Sequence, residues 1–343
     1  MRKFLNTKTI ILLILIIGIQ SCIEEPKTHN NSAKGNFKAL WEIIDTRYCY
    51  LDYKNIDWDS VYHAYKPRID TVKNQFQLFQ LFGEMLAVLK DGHINLYSSF
   101  NRTRYWNWYT DYPKNFNSSL LDSDRYLGDN YKIAGGIKYK KIANKKVGYI
   151  YYNSFSNGFN DTNIYYIFRH FKNCDGLIID VRSNGGGSLS YAEMLASYFF
   201  KEKTLTGYIS HKTGLGHSDF SKPKPIYTKP SKALRWEKAV IVLTNRMSYS
   251  ATNDFVNRMK LAPNCIILGD VTGGGGGIPL SSELPNGWMV RFSASPIFDA
   301  NMKHIEWGIA PNVQVEMNKE DEKKGYDTLI EQAVLRIKSI SNN

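Results

Sequence analysis

The stretch from Gly176 to Phe200, GLIIDVRSNGGGSLSYAEMLASYFF, indicates the fold class most clearly. Its apolar, isoleucine-rich opening predicts a buried strand, the three glycines predict a tight turn, and the apolar residues that follow predict a helix. The same alternation continues on both sides, in VGYIYYNSF, DTNIYYIFRHFKN, AVIVLT, SATNDFVNRMK and CIILGD. Alternating strands and helices predict an α/β core with a mostly parallel sheet, which we assign to residues 146–340.

The first third of the chain has a helical periodicity instead. Apolar residues recur there at i, i+3, i+4 and i+7, as in Phe37, Leu40, Trp41 and Ile44. We therefore predict a small N-terminal helical domain over residues 36–97 and a connecting segment over 98–145. Near the other end, Asn286-Gly287 lies between two strand-like runs, which predicts a β-hairpin.

Composition indicates a globular chain and excludes several classes of function. The 343 residues are 43% hydrophobic, and the formal net charge is +12. The lysines are scattered, so nucleic-acid binding is not predicted. The four cysteines include no C-x-x-C pair, which argues against a disulfide framework or a zinc site. A weak H-x5-H pair, His211 and His217, stays open as a metal site, but we predict neither a metal nor a cofactor.

The N-terminus resembles a bacterial lipoprotein signal. Basic residues precede the apolar run IILLILIIGI, which is too short to span a bilayer, and the run is followed by QSC. We predict a signal peptide over residues 1–21, acylation of Cys22 and a tether over residues 22–35. The protein would then be a cell-envelope lipoprotein of the outer membrane, facing the periplasm or the exterior. An ordinary secretory cleavage site is the alternative.

Ser250 is a candidate nucleophile because a strand is predicted to end just before it and a helix to begin just after it. Helix N-terminal N–H groups and the helix dipole favour negative charge at such a position. The alternative is structural, because Ser248 and Ser250 are both good N-cap residues.

Two further segments could complete a catalytic site. The glycines in DVRSNGGGS let backbone N–H groups approach an anion, and an oxyanion hole that uses Gly186 fits better than phosphate binding, since no P-loop lysine is present. The alternative is a plain glycine-rich turn. In LKDGHINLY, a helix ends near Gly92, and His93 is the best-placed general base.

Together these segments resemble peptidase family S41, the C-terminal processing and tricorn core proteases. LKDGH is similar to the family's D-G-H segment, IIDVRSNGGGS to its D-x-R-x-N-x-G-G loop, and NRMSYSATNDF to its S-x-S-A-x-E nucleophile segment. WGIAPNVQV resembles its closing G-V-x-P-D-I-x-V stretch. The resemblance implies a ClpP/crotonase-like core. Many members carry a PDZ domain before the core, but the stretch from Tyr97 to Lys146 is too short for one, so we predict none.

The resemblance also implies which residue acts as the general base for Ser250. Processing proteases place a lysine after G-x-x-T-x-G, where this chain has GDVTGGGGGIP, so a Ser-Lys dyad is excluded unless a distant lysine such as Lys303 substitutes. The tricorn-like branch uses histidine, with a glutamate ahead of the closing motif, which Glu306 matches. That branch has a serine where this chain has Gly92, so we expect Glu306 to reach His93 directly.

The resulting prediction is a membrane-anchored serine endopeptidase that cleaves extended or unfolded peptides. His93 would take the Ser250 proton, Glu306 would orient His93, and the N–H groups of Gly186 and Ala251 would stabilise the oxyanion. An inactive relative that binds peptides is the alternative, since the missing lysine, Gly92, and Asn253 in place of the usual glutamate are departures from the pattern. The oligomeric state is not predicted.

Overall fold

The computed structural model describes residues 29–342. The predicted signal peptide and Cys22 lie outside the described residues. Helices and strands follow each other in this order: α1 (Ala33–Arg47), α2 (Trp58–Ile69), α3 (Gln75–Ala87), β1 (Asn95–Tyr97), α4 (Asn107–Thr110), α5 (Ser118–Leu121), β2 (Lys132–Ala134), β3 (Ile137–Ile142), β4 (Val147–Tyr151), α6 (Asp161–Phe171), β5 (Gly176–Asp180), α7 (Leu189–Ser197), β6 (Thr204–Ile209), β7 (Lys224–Thr228), β8 (Ala239–Thr244), α8 (Ala251–Met259), β9 (Cys265–Gly269), β10 (Gly277–Glu283), β11 (Met289–Phe298), β12 (Val313–Gln314), α9 (Lys319–Lys323) and α10 (Thr328–Ser341).

The main sheet has seven strands in the order β12-β9-β8-β5-β4-β3-β2. The pairs from β12 to β4 are parallel, and β3 and β2 add an antiparallel edge. Successive residues of β5 face opposite sides, so Ile179 packs with α6, α7 and α8 while Ile178 packs with α10. Helices on both faces explain why these strands are apolar throughout. The prediction of an α/β core with a mostly parallel sheet is confirmed.

The second sheet is antiparallel and centres on β11, which pairs with β1, β6 and β10. The β10-β11 hairpin is the one that the Asn286-Gly287 turn predicted, and Gly287 has a φ of +81° there. Glycine adopts this left-handed conformation at little cost.

Helices α1, α2 and α3 confirm the helical pattern of the first third of the chain. Their buried face shares one hydrophobic cluster with β11, in which Leu40 and Phe82 lie with Phe292. This packing fixes the helices against the second sheet. The helix α1 begins at Ala33, within the predicted tether, because the Ser32 side chain accepts a hydrogen bond from Gly35 N and caps the helix.

The segment between the helices and the main sheet contains α4, α5 and the two edge strands β2 and β3. As predicted, no PDZ domain lies in this part of the described chain. Over residues 29–342, none of the helices combines the length and the apolar character that crossing a membrane requires.

Candidate active site

Ser250 lies between β8 and α8, at the carboxyl end of the parallel strands. Its backbone has φ +59° and ψ −119°, a conformation that non-glycine residues rarely adopt. Ser250 occupies the N-cap position of α8, but its side chain makes no capping hydrogen bond. Ser248 Oγ, the other candidate cap, donates to the carbonyl of Val181 at 2.8 Å. The capping alternative therefore does not account for the Ser250 hydroxyl.

His93 lies against this hydroxyl, although 157 residues separate the two along the chain. Its Nε2 atom is 2.9 Å from Ser250 Oγ, and the residue is only 3% exposed. Burial lowers the pKa of His93 to about 4, an effect that Asp91 opposes and Arg291 and Lys54 reinforce. The imidazole is therefore neutral near pH 7, which is the form that can accept a proton.

Glu306 lies near these residues but does not bond to His93. Its Oε1 accepts a hydrogen bond from Lys54 Nζ at 2.7 Å, and its Oε2 accepts one from Gly276 N at 2.9 Å. The Nδ1 atom of His93 is buried and has no hydrogen-bond partner among the described residues. The expectation that Glu306 reaches His93 directly is therefore wrong, because the Nδ1 atom has no partner in the described part of the chain and Glu306 bonds to Lys54 and Gly276 instead.

A buried charge cluster behind His93 was missed by the sequence analysis. Lys54 Nζ lies 2.7 Å from Glu306 and 3.8 Å from Asp91, and its side chain is 2% exposed. Burial, followed by the charge of Asp91, raises the pKa of Glu306 to about 8. Asp91 belongs to the LKDGH segment, so its proximity to His93 was available from the sequence. Lys54 follows α1 in a turn that carries no chemical motif.

The glycine loop after β5 packs directly against Ser250. Gly186 has a φ of +96°, and a Cβ atom there would lie 2.9 Å from Ser250 Cβ and 2.7 Å from the Tyr249 carbonyl oxygen. Only glycine fits beside Ser250. In the structure, Gly186 N donates to Asn184 Oδ1 at 3.0 Å, so an oxyanion at this N–H would share or replace that bond. Ala251, the other predicted donor, is the first residue of α8.

The glycine run that replaces the family lysine also has a packing role. A Cβ atom at Gly275 would lie 2.4 Å from the Tyr249 ring, and one at Gly274 would lie 1.8 Å from the Glu306 carbonyl oxygen. Side chains are excluded there, and the carbonyl of Gly274 accepts from Ser250 N at 2.8 Å. Lys303, the distant substitute considered above, is exposed.

Gly92 is a glycine for a similar reason. A Cβ atom at Gly92 would lie 2.6 Å from Trp108 Nε1 and 2.8 Å from Tyr249 Oη. The Trp108 and Tyr249 rings stack at 4.2 Å and occupy the space that a serine side chain would fill. These rings also line a cavity of about 250 Å³ beside the site, together with Arg246, Glu306 and Trp307.

Asn253 and Asp254, in the region where the family often has glutamate, have structural roles. Asn253 Nδ2 donates to the carbonyl of Ile305 at 2.9 Å and so ties α8 to the segment that carries Glu306. Asp254 forms a buried ion pair with Arg258, one helical turn later, at 2.7 Å.

Comparisons with known proteins agree with this architecture. The sequence profile of peptidase family S41 matches residues 146–315, and the profile of the tricorn protease C1 domain matches residues 29–87. A crystal structure from Parabacteroides merdae ATCC 43184, provisionally designated a peptidase, is 54% identical, with a TM-score of 0.86. The alignment covers 90% of this chain and 97% of that one.

Two more distant proteins are also similar. Mature CPAF in complex with lactacystin is 13% identical with a TM-score of 0.68, over 91% of this chain and 99% of that one, which is a likeness of fold. The provisionally named C-terminal subunit of a tricorn-like protease from Sulfurisphaera tokodaii is 26% identical over 220 residues. That match covers 63% of this chain and 24% of the relative, so the chain spans about a quarter of the curated relative's length.

Proposed function

Because the chain belongs to peptidase family S41 and has the α/β fold of that family, we propose that it is a serine endopeptidase with Ser250 as nucleophile and His93 as general base. The observation that carries the proposal is the 2.9 Å separation between Ser250 Oγ and His93 Nε2. For Nε2 to accept the hydroxyl proton, Nδ1 must hold the ring hydrogen. Burial supports the neutral imidazole that this step needs.

The reaction proceeds by acyl transfer. His93 Nε2 takes the proton from Ser250 Oγ as the oxygen attacks the carbonyl carbon of a peptide bond, and the N–H groups of Gly186 and Ala251 receive the developing negative charge. The imidazolium then gives its proton to the leaving amine. Water, activated by the same imidazole, attacks the ester and restores the Ser250 hydroxyl. Glu306 makes no direct bond to His93 and instead bonds to Lys54 and Gly276.

The substrates are extended or unfolded peptides. A peptide bond must be uncovered to reach a hydroxyl that lies in a turn between a strand and a helix, and a peptide can lie along the edge of a sheet through backbone hydrogen bonds. The proposal requires neither a metal nor a nucleic-acid partner.

Labelling by a fluorophosphonate probe tests this function. The wild-type protein should react at Ser250, whereas Ser250→Ala and His93→Ala should not, because one variant lacks the nucleophile and the other lacks the base. A wild type that stays unlabelled while it binds unfolded peptides would favour the inactive, peptide-binding relative instead. The unpaired Nδ1 of His93 is the observation that favours this second candidate.

Anchoring to the membrane is a separate part of the proposal. The segment IILLILIIGIQSC supports export and acylation of Cys22, which would hold the peptidase at the outer membrane, facing the periplasm or the exterior. Metabolic labelling with an alkyne fatty acid should mark the wild type and not Cys22→Ser. Equal labelling of both proteins would refute acylation at this cysteine.

A further inference from the structure

We propose that Asp91, held in place by Lys54, is the positioning residue that supports the protonated form of His93 during acylation, through its charge and without a bond to the imidazole ring. The inference rests on the proposed peptidase function, and it assigns to Asp91 the electrostatic role that the sequence suggested for Glu306.

Asp91 is fully buried and bonded on both carboxylate oxygens. Its Oδ1 accepts from His93 N at 2.7 Å, and its Oδ2 accepts from Tyr48 Oη at 3.1 Å and from Ser293 Oγ at 2.9 Å. Burial acts to raise the pKa of Asp91, but Lys54, His93 and these hydrogen bonds outweigh it and keep the pKa below its usual value. Asp91 is therefore a fixed anion two residues from the catalytic imidazole.

The Lys54 ammonium lies closer to the carboxyl group of Glu306 than to that of Asp91. The ammonium is 2.7 Å from Glu306 but 3.8 Å from Asp91, and it also donates to the carbonyl of Leu89 at 3.2 Å. Lys54 therefore bonds to Glu306 and lies farther from Asp91. Because the pKa of Glu306 is raised to about 8, Glu306 is mostly protonated and uncharged near pH 7, whereas Asp91 keeps its charge.

Charged groups from several elements face His93. Asp91 favours the imidazolium form, whereas Lys54, from the turn after α1, and Arg291, from β11, oppose it. The neighbouring phenols and thiol stay protonated because burial raises their pKa values; they belong to Tyr48, Cys49 and Tyr249. Asp91 is thus the anion through which the protein can offset the cost of forming a buried imidazolium.

Replacing Asp91 by asparagine removes the charge and keeps the shape. The Asn Oδ1 can still accept from His93 N, and the Tyr48 and Ser293 hydroxyls can rotate to accept from the new amide. We expect the imidazole pKa of His93, measured by NMR, to fall by about one unit and the rate of fluorophosphonate labelling at pH 7 to fall about tenfold. In the wild type, the labelling rate should decline only as the pH falls toward about 4.

Two further variants separate charge from structure. Lys54→Met should raise the imidazole pKa, opposite to Asp91→Asn, because it removes a cation. Ser293→Ala removes one hydrogen bond to Asp91 but no charge, so it should leave the imidazole pKa close to that of the wild type. If Asp91 had only a structural role, Ser293→Ala and Asp91→Asn would both lower the rate without moving the imidazole pKa.

An unchanged imidazole pKa in folded Asp91→Asn protein would overturn the inference. If that variant does not fold, Asp91→Ser replaces it, since it also removes the charge and leaves a hydroxyl that can accept from His93 N. There, too, the imidazole pKa should fall, and an unchanged value would reject the inference. A wild type that does not react with the probe refutes the peptidase proposal instead, and the NMR titration still tests Asp91.

Discussion

Ser250 is held in a backbone conformation that costs free energy, typically about 1 to 3 kcal/mol for a residue in a sparsely populated region. Its amide donates to the Gly274 carbonyl at 2.8 Å. Gly186 packs so closely against it that a Cβ atom at Gly186 would lie 2.9 Å from the Cβ of Ser250. These contacts maintain the strained turn. The hydroxyl therefore contacts His93 and does not cap the backbone N–H groups at the start of α8.

Two adjacent glycines in the loop after β5 give a matched pair of substitutions. Gly186→Ala would force a positive φ on alanine and place a Cβ 2.9 Å from that of Ser250, whereas a Cβ at Gly185 would meet nothing within 4 Å. We expect fluorophosphonate labelling of Gly186→Ala to slow by about a hundredfold, because the clash would move the N–H of residue 186 away from the oxyanion, with an effect like that of losing one donor. Labelling of Gly185→Ala should stay within about twofold of wild type. Equal rates for the two variants would show that the loop does not shape the site.

At the scale of elements, the sequence predicts most of what supports the site. The apolar runs of β5 and β8, the glycines after β5 and the Asn286-Gly287 turn all have local signals, and the structure has the expected strands, turn and hairpin. The partner of Glu306 had no such signal. Lys54 is 252 residues away in the chain, and only the packing of α1 against β11 brings its turn beside the site.

The helix α10 depends on a buried network at its start. Asp327 caps it by accepting from Leu329 N and Ile330 N, both at 3.1 Å, and it also accepts from Arg182 Nη1 at 3.0 Å. Asp327→Ala should lower the free energy of unfolding by about 3 kcal/mol or more, because it removes a cap and leaves the buried Arg182 with one partner fewer.

Asn318 is the control for this prediction. It caps the short, exposed helix α9 by accepting from Glu320 N at 2.8 Å. Asn318→Ala should cost about 1 kcal/mol, the usual effect of losing an exposed N-cap. Urea unfolding of both variants compares the two free energies. Similar losses would mean that the contact with Arg182 adds little.

At the scale of the whole molecule, the site forms where two sheets meet. The main sheet supplies Ser250 and the glycine loop at the carboxyl ends of β8 and β5, while His93 lies between α3 and β1 of the second sheet. The sequence could predict this convergence only through the family resemblance, since no local pattern relates segments 157 residues apart. It could not predict which carboxylate faces the imidazole, because that depends on distances within the assembled cluster.

Hydrolysis of peptide bonds tests the central claim most directly. Purified wild-type protein and Ser250→Ala would be incubated with a denatured protein at pH 7, and new peptide termini would be identified by mass spectrometry. The wild type should cleave internal peptide bonds, and Ser250→Ala should cleave none. No cleavage by the wild type, or equal cleavage by both proteins, would contradict it.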